Sequence, residues 1–181
     1  MRRFGLIALC LACVAALPLS ASASDDAYFG PQVGVFLPSN KGLRNALGDS
    51  WFSFGAGRIR GYDLDKYKIA YDWQAVNQRK NGNNVFILTG SIGFVRAFGR
   101  DGDSTIPYAA LRGGLAYLDY SIDTPSGHQA GKRASLNANA ALGINFNHRI
   151  NLEARYDMWN SFDGITFNGL TIALTVGLAR F

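Results

Sequence analysis

Two long runs of alternating apolar and polar residues lie near the end of the chain, over residues 150–158 and 170–178. Their apolar positions are Ile150, Leu152, Ala154, Tyr156 and Met158 in the first run, and Leu170, Ile172, Leu174, Val176 and Leu178 in the second. Because successive side chains of a strand point to opposite faces, each run predicts an amphipathic strand. In the first run, polar and mostly ionised residues fill one whole face of the strand while the other face is wholly apolar. A soluble β-sandwich would not readily explain this combination.

The same period recurs through most of the chain and predicts six earlier strands. These cover residues 27–37, 51–62, 66–77, 85–98, 105–120 and 134–147. Polar segments at 38–50, 78–84 and 121–133 read as loops, and no 3.6-residue helical period appears after residue 23. The pattern predicts an all-β domain, an eight-stranded antiparallel up-and-down barrel, in which the odd-numbered connections are mostly the longer ones.

The phase of the second strand is ambiguous. Phe52 and Phe54 indicate one outward parity, but Arg58 continues the same parity. A β-bulge, or a strand that extends beyond the membrane, would reconcile the two observations.

The first 23 residues have the features of a cleavable signal peptide. Arg2 and Arg3 precede an apolar stretch over residues 4–19, and small residues at 21–23 form a cleavage site. We therefore predict a signal peptide at 1–23 and a single barrel domain at 24–181. Both cysteines of the chain lie in this leader, so the exported domain is expected to lack disulfides and thiol chemistry.

Composition narrows the picture only slightly. The net charge of +5 falls by two with the loss of Arg2 and Arg3, and no long basic cluster supports nucleic-acid binding. The mean hydropathy of +0.01 is unremarkable, as expected for a membrane barrel in which apolar and polar residues alternate.

The ionised parity must point inward if the strands span a membrane. Only a closed sheet satisfies every backbone polar group in hydrocarbon, and Arg or Lys on the lipid face would cost about 2–4 kcal/mol at mid-membrane. An eight-stranded barrel has room only for its own side chains, so these charges are expected to pair with one another. The predicted interior polar cluster is Lys68, Asp72, Arg112, Glu153, Arg155 and Asp157.

Aromatic residues near the predicted strand ends suggest two interfacial belts. Trp51, Trp73 and Trp159 would form one belt, and Tyr62, Tyr67, Phe98, Phe146 and Phe181 the other.

These features resemble the small eight-stranded barrel family of bacterial outer membranes. The resemblance rests on the leader, the Tyr28-Phe29-Gly30 strand opening, the strand containing residues 153–156, and the final strand that ends in Phe181. It covers nearly all of the exported chain and implies recognition by the barrel-assembly machinery. Thr175, Gly177 and Ala179 share the parity of Phe181, so either a bulge precedes this residue or its ring lies off the lipid face.

Catalysis is not expected from the sequence. The lipid A deacylases, which resemble this chain in size, use a late-strand histidine and serine, whereas the comparable stretch here has Asp157 and Trp159 at those positions. His128 reads as a solvated loop residue and His148 as part of a tight turn at the other rim, so no general base, metal site or cofactor site is predicted.

The sequence therefore predicts an integral outer-membrane protein, acting as a monomer, with a structural or surface-interaction role. Outer-membrane lipid and lipopolysaccharide are the expected partners, and basic residues of the outer loops would contact anionic groups. These residues are Lys41, Arg44, Arg79, Lys80, Lys132 and Arg133. A narrow porin-like channel for small solutes and an outer-membrane lipid-modifying hydrolase are the alternatives, and a soluble ligand-holding barrel is the rival architecture.

Overall fold

A computed structural model describes residues 27–60, 68–99, 103–124, 127–147 and 149–180 of the chain. In chain order the elements are β1 (Ala27–Pro38), α1 (Lys41–Leu47), β2 (Trp51–Arg60), β3 (Lys68–Lys80), β4 (Asn83–Ala97), β5 (Thr105–Thr124), β6 (Gly127–Phe146), β7 (Ile150–Trp159), β8 (Gly169–Val176) and β9 (Ala179–Arg180). The predicted signal peptide lies outside the described residues, as do Tyr62, Tyr67, His148 and Phe181.

The strands form one closed antiparallel barrel. Each strand pairs with the next along the chain, and β1 pairs both with β2 and with β8, which closes the ring. Short β9 continues β8 along β1, and the pairing moves by one residue between Gln32↔Thr175 and Phe29↔Ala179. The predicted eight-stranded up-and-down barrel is confirmed, and a one-residue bulge precedes its final residues.

Apolar side chains cover the outside of the barrel, and polar ones fill much of its lumen. Leu142 is 69% exposed, whereas Arg155 is 1% exposed. On β7, exposed and buried residues alternate without interruption from Ile150 to Trp159. On β2, Phe52 and Phe54 face outward, and the pairing with β1 continues unbroken to Arg60, so no bulge interrupts it.

Three layers of side chains fill the lumen along the barrel axis. Along β5, Leu118 belongs to an apolar plug at the end that carries α1, Arg112 to a charged middle layer, and Ile106 to a second apolar cluster at the far end. The helix-end plug contains Phe36, Leu43, Leu47, Trp51, Val76, Val85, Ile87, Ala116, Leu118, Tyr120, Ile122, Trp159, Ile165 and Phe167. The far-end cluster contains Val95, Ala97, Ile106, Tyr108, Ala110 and Ala141.

The segment predicted as the first long loop contains a short helix instead. Asn40 caps α1 by accepting a hydrogen bond from the Leu43 backbone N–H at 3.2 Å, and Gly48 ends it at a φ of 97°. Leu43 and Leu47, one helical turn apart, are buried in the helix-end plug. The prediction of no helix was wrong because a seven-residue helix is too short to show a clear period.

Two other predicted loops are mostly strand. Asn81 and Gly82, both with positive φ, make a two-residue hairpin turn that leaves Arg79 and Lys80 on β3. The predicted loop 121–133 extends β5 and β6 into a long hairpin, which places Lys132 and Arg133 on β6. The prediction of long odd-numbered connections was therefore wrong for the third and fifth connections. The reason is that polar residues continue these strands beyond the part of the barrel whose outer surface is apolar.

The predicted belt of three tryptophans was wrong for Trp51 and Trp159. Both lie inside the plug against Phe36, with ring centroids 5.4 and 5.6 Å from it. Their strand parity directs them inward, where each indole N–H donates a hydrogen bond. Trp73 lies in the middle of β3, edge-on to Phe54 on the outer surface, and Phe98 is exposed at the far end.

Candidate functional site

A network of buried charges crosses the middle of the lumen. We call it the ionic layer, and its described members are Asp72, Arg112, Glu153, Arg155 and Asp157. They come from β3, β5 and β7, and their alternate positions on those strands direct them inward. The Lys68 backbone starts β3, but its side chain lies outside the described part of the chain.

Arg155 contacts three carboxylates from two strands. Its Nη1 donates to Asp72, its Nε lies 3.2 Å from Asp157 Oδ2, and its Nη1 lies 3.7 Å from Glu153 Oε1. Asp157 accepts a further bond from the Thr171 hydroxyl at 2.7 Å. Arg155 therefore holds together negative charges that would repel one another without it.

Arg112 and Glu153 form a two-pronged ion pair. The guanidinium nitrogens lie 3.0 and 2.6 Å from the two carboxylate oxygens, which is the strong fork geometry available to arginine. The Tyr108 hydroxyl donates to Glu153 Oε2 at 2.7 Å and accepts from Asn151 Nδ2 at 2.6 Å. A neutral hydroxyl thus adds to the solvation of the buried carboxylate.

A small chamber opens beside this pair. Its volume is about 30 Å³, and its lining is Gln32, Gly57, Ala70, Tyr71, Asp72, Arg112, Asn151, Glu153 and Thr175. Three buried atoms of this lining, Gln32 Oε1, Arg112 Nε and Asn151 Oδ1, find no hydrogen-bond partner among the described residues. A polar space of this size suits ordered water rather than a substrate.

The six predicted surface cations divide into two groups. Three have acidic neighbours: Arg44 with Asp49 at 3.8 Å, Lys132 with Asp119 at 3.4 Å, and Arg133 with Asp163 at 3.8 Å. Lys41, Arg79 and Lys80 have no acidic side chain within 4.0 Å in the described ranges.

The outer surface of the β5–β6 hairpin holds a cluster that the sequence analysis missed. His128 Nδ1 lies 2.7 Å from Asp123 Oδ1, and His128 Nε2 lies 3.3 Å from Ser121 Oγ. The sequence treated all three as loop residues. The signal that could have revealed them is a serine and an aspartate two residues apart, followed by a histidine across a possible hairpin turn.

Two other searches of the described residues found nothing. No group of three or more His, Cys, Asp or Glu side chains there could hold a metal ion. The same portion of the chain contains no helix that is both long and apolar enough to cross a membrane.

Comparison with known proteins identifies the fold. No protein-family model and no curated protein matches the chain. Among solved structures, Neisserial surface protein A has a TM-score of 0.51 at 15% identity, covering 85% of this chain and 97% of that one. Ail, the attachment invasion locus protein of Yersinia pestis, has a TM-score of 0.51 at 12% identity, covering 87% and 97%. The outer-membrane enzyme PagL has a TM-score of 0.52 at 16% identity, covering 86% and 100%. The chain therefore has the fold of the small eight-stranded outer-membrane β-barrels.

Proposed function

We propose that the chain is an integral protein of the bacterial outer membrane with a structural or surface-interaction role. One observation carries this proposal: the apolar parity of the strands faces out, and the ionised parity faces in. Such an apolar belt would be unfavourable in water by about 25 cal/mol per Å². The soluble ligand-holding barrel, which needs the reverse arrangement, is correspondingly disfavoured.

Cell fractionation with a heat-modifiability gel tests the location. The protein should appear in the outer-membrane fraction and run faster unboiled than boiled, because a lipid-embedded barrel resists unfolding by detergent. Recovery in the soluble periplasmic fraction would overturn the proposal.

We also expect the barrel-assembly machinery to insert the chain into the membrane. Depletion of that machinery should therefore lower the amount of folded protein.

We place the helix end of the barrel outside the cell, where its cations would contact anionic groups of lipopolysaccharide. Lys41, Arg79 and Lys80 support this role because no described carboxylate neutralises them. Exposed ammonium and guanidinium groups attract phosphates without needing a preformed pocket.

Charge reversal separates the two groups of cations. The triple variant Lys41→Glu, Arg79→Glu and Lys80→Glu should bind lipopolysaccharide vesicles more weakly in a co-sedimentation assay. The matched control reverses the paired cations Arg44, Lys132 and Arg133 to glutamate as well, and its effect should be smaller. Equal binding by the triple variant and the unaltered protein would remove the idea.

A narrow channel is the second candidate, and the filled lumen argues against it. The helix-end plug, the ionic layer and the far-end cluster lie in series along the axis. A planar-bilayer recording of the purified protein should show little stable current. Sustained conductance steps would favour the channel instead. Light scattering of the same sample should give the mass of a monomer.

A further inference from the structure

The β5–β6 hairpin extends beyond its neighbours at the helix end. β4 pairs with β5 only as far as Ser121, and β7 pairs with β6 only from Asn137, whereas β5 and β6 pair with each other up to Thr124↔Gly127. The outer face of this extension continues the face that bears Leu115 lower on β5. The outer face of the hairpin is therefore in contact with the medium around this end of the barrel.

Three side chains on that face form the hairpin triad, Ser121, Asp123 and His128. Asp123 and His128 are opposite each other in the register, and Ser121 lies two residues before Asp123, so all three share one face. The imidazole bridges the two β5 side chains, with Nδ1 on the carboxylate at 2.7 Å and Nε2 on the hydroxyl at 3.3 Å.

The direction of these bonds follows for an ionised Asp123 and a neutral imidazole. An ionised carboxylate can only accept, so His128 Nδ1 carries the proton in its bond to Asp123. In the neutral ring Nε2 is then a bare acceptor, and it faces the Ser121 hydroxyl. This is the connectivity of a nucleophile, a general base and an orienting acid.

An ion pair between Lys132 and Asp119 flanks the nucleophile on its other side. Ser121 pairs with Ala130, and Lys132 follows two residues later on the same face of β6. Asp119 holds the Lys132 ammonium at 3.4 Å. A cation beside the attacked carbonyl can stabilise the negative charge that develops on its oxygen.

We propose that the hairpin triad is a serine esterase site for carboxylic esters of amphiphiles at the membrane surface. The choice of substrate rests on the proposed function, because that function places the hairpin face beside the lipid headgroups. The triad itself rests only on the geometry of Ser121, Asp123 and His128. The proposal goes beyond the surface role and revises the expectation that the chain has no catalytic residues.

The reaction has two steps. Ser121 Oγ attacks the ester carbonyl carbon while its proton passes to His128 Nε2; the bond to the alcohol breaks, and the alcohol leaves with that proton. Water then attacks the acyl-serine, giving one proton to Nε2, and the carboxylic acid leaves as the serine hydroxyl recovers the proton. No metal or redox partner is required.

Labelling by a fluorophosphonate probe tests the nucleophile. The full chain, purified from the outer membrane in detergent and shown to be folded by its gel shift, should gain one adduct, mapped to Ser121 by peptide mass analysis. Ser121→Ala should abolish the adduct, and His128→Gln should slow labelling by about 100-fold, since a general base contributes at least that much. Ser161→Ala is the control, because the described partner of this serine is Thr166 rather than a histidine.

Hydrolysis of a short-chain nitrophenyl ester, in the same detergent, gives the second readout. Ser121→Ala and His128→Gln should lose nearly all of the activity above background, and Lys132→Gln should lower kcat more than it raises KM. Two results would overturn the esterase proposal. One is a folded protein that forms no adduct with the probe, and the other is a His128→Gln variant that is labelled as fast as the unaltered protein. Neither result would touch the proposed location, which is read from fractionation alone.

Discussion

The ionic layer and the surface cations contain the same kinds of residue in opposite surroundings. Arg155 is enclosed by three carboxylates in the lumen, whereas the exposed Arg44 has one carboxylate among the described residues, that of Asp49. In a low-dielectric interior each charge depends on its partners, while at the surface water replaces a lost partner at small cost. The comparison indicates that the stability of the fold depends on the partners of the inner charges much more than on those of the outer charges.

Removing the central inner charge should have the largest effect. Arg155→Met leaves Asp72 and Asp157 buried without their main partner, so the free energy of unfolding should fall by about 3–5 kcal/mol. Urea unfolding in detergent, followed by tryptophan fluorescence, measures it. If the free energy of unfolding fell by less than about 1 kcal/mol, the lumen around the ionic layer would have to be far more hydrated than the burial of its residues indicates.

Replacing an apolar plug residue sharpens the contrast between the lumen and the outer face. Leu47→Ala should cost about 3 kcal/mol because the plug cannot fully close the cavity. Leu115→Ala, on the exposed outer face, should cost clearly less, since surrounding lipid or detergent can occupy the space. The same urea titration compares them, and equal losses would argue against a packed plug.

A double-mutant cycle tests whether the inner charges act as a unit. Arg112→Met and Glu153→Leu should each destabilise the barrel, but together they should cost less than the sum, with a coupling of about 2 kcal/mol. The reason is that the double variant leaves neither member of the fork unpaired. Additive losses would show that other groups, rather than this fork, compensate the two charges.

The smallest effect is expected at the surface. Arg44→Gln should change the free energy of unfolding by about 0–1 kcal/mol, and added salt should reduce the difference further. Unfolding at low and high salt measures both. A salt-independent loss comparable with that of Arg155→Met would erase the distinction between inner and outer charges.

The strand pattern of the sequence was sufficient for the barrel because a period of two is a property of the backbone itself. It also assigned residues such as Glu153 to the correct side of the sheet. It could not show that Arg155 contacts Asp72, because that contact joins β3 and β7 across the lumen, between residues 83 positions apart in the chain. The interior cluster as a functional unit remains a prediction.

Two of the errors share one cause, which is that polar composition was taken to mean a loop. Residues 121–133 are polar because the hairpin rises beyond the apolar belt, not because the strands have ended. Trp51 and Trp159 were assigned to a belt from their position along the chain, although their parity turns them into the lumen. The hairpin triad escaped notice for the same reason, because it exists only once β5 and β6 are extended.

The orientation of the two strand faces can be measured directly at two adjacent residues. Leu142 is exposed on the outer surface, and Ala141 beside it faces the lumen. In refolded protein lacking residues 1–23, which contain both native cysteines, each is changed to cysteine and spin-labelled in lipid vesicles. The label at 142 should collide readily with oxygen dissolved in lipid and rarely with an aqueous nickel chelate, and the label at 141 rarely with either. Frequent collision of the label at 142 with the nickel chelate would contradict the account.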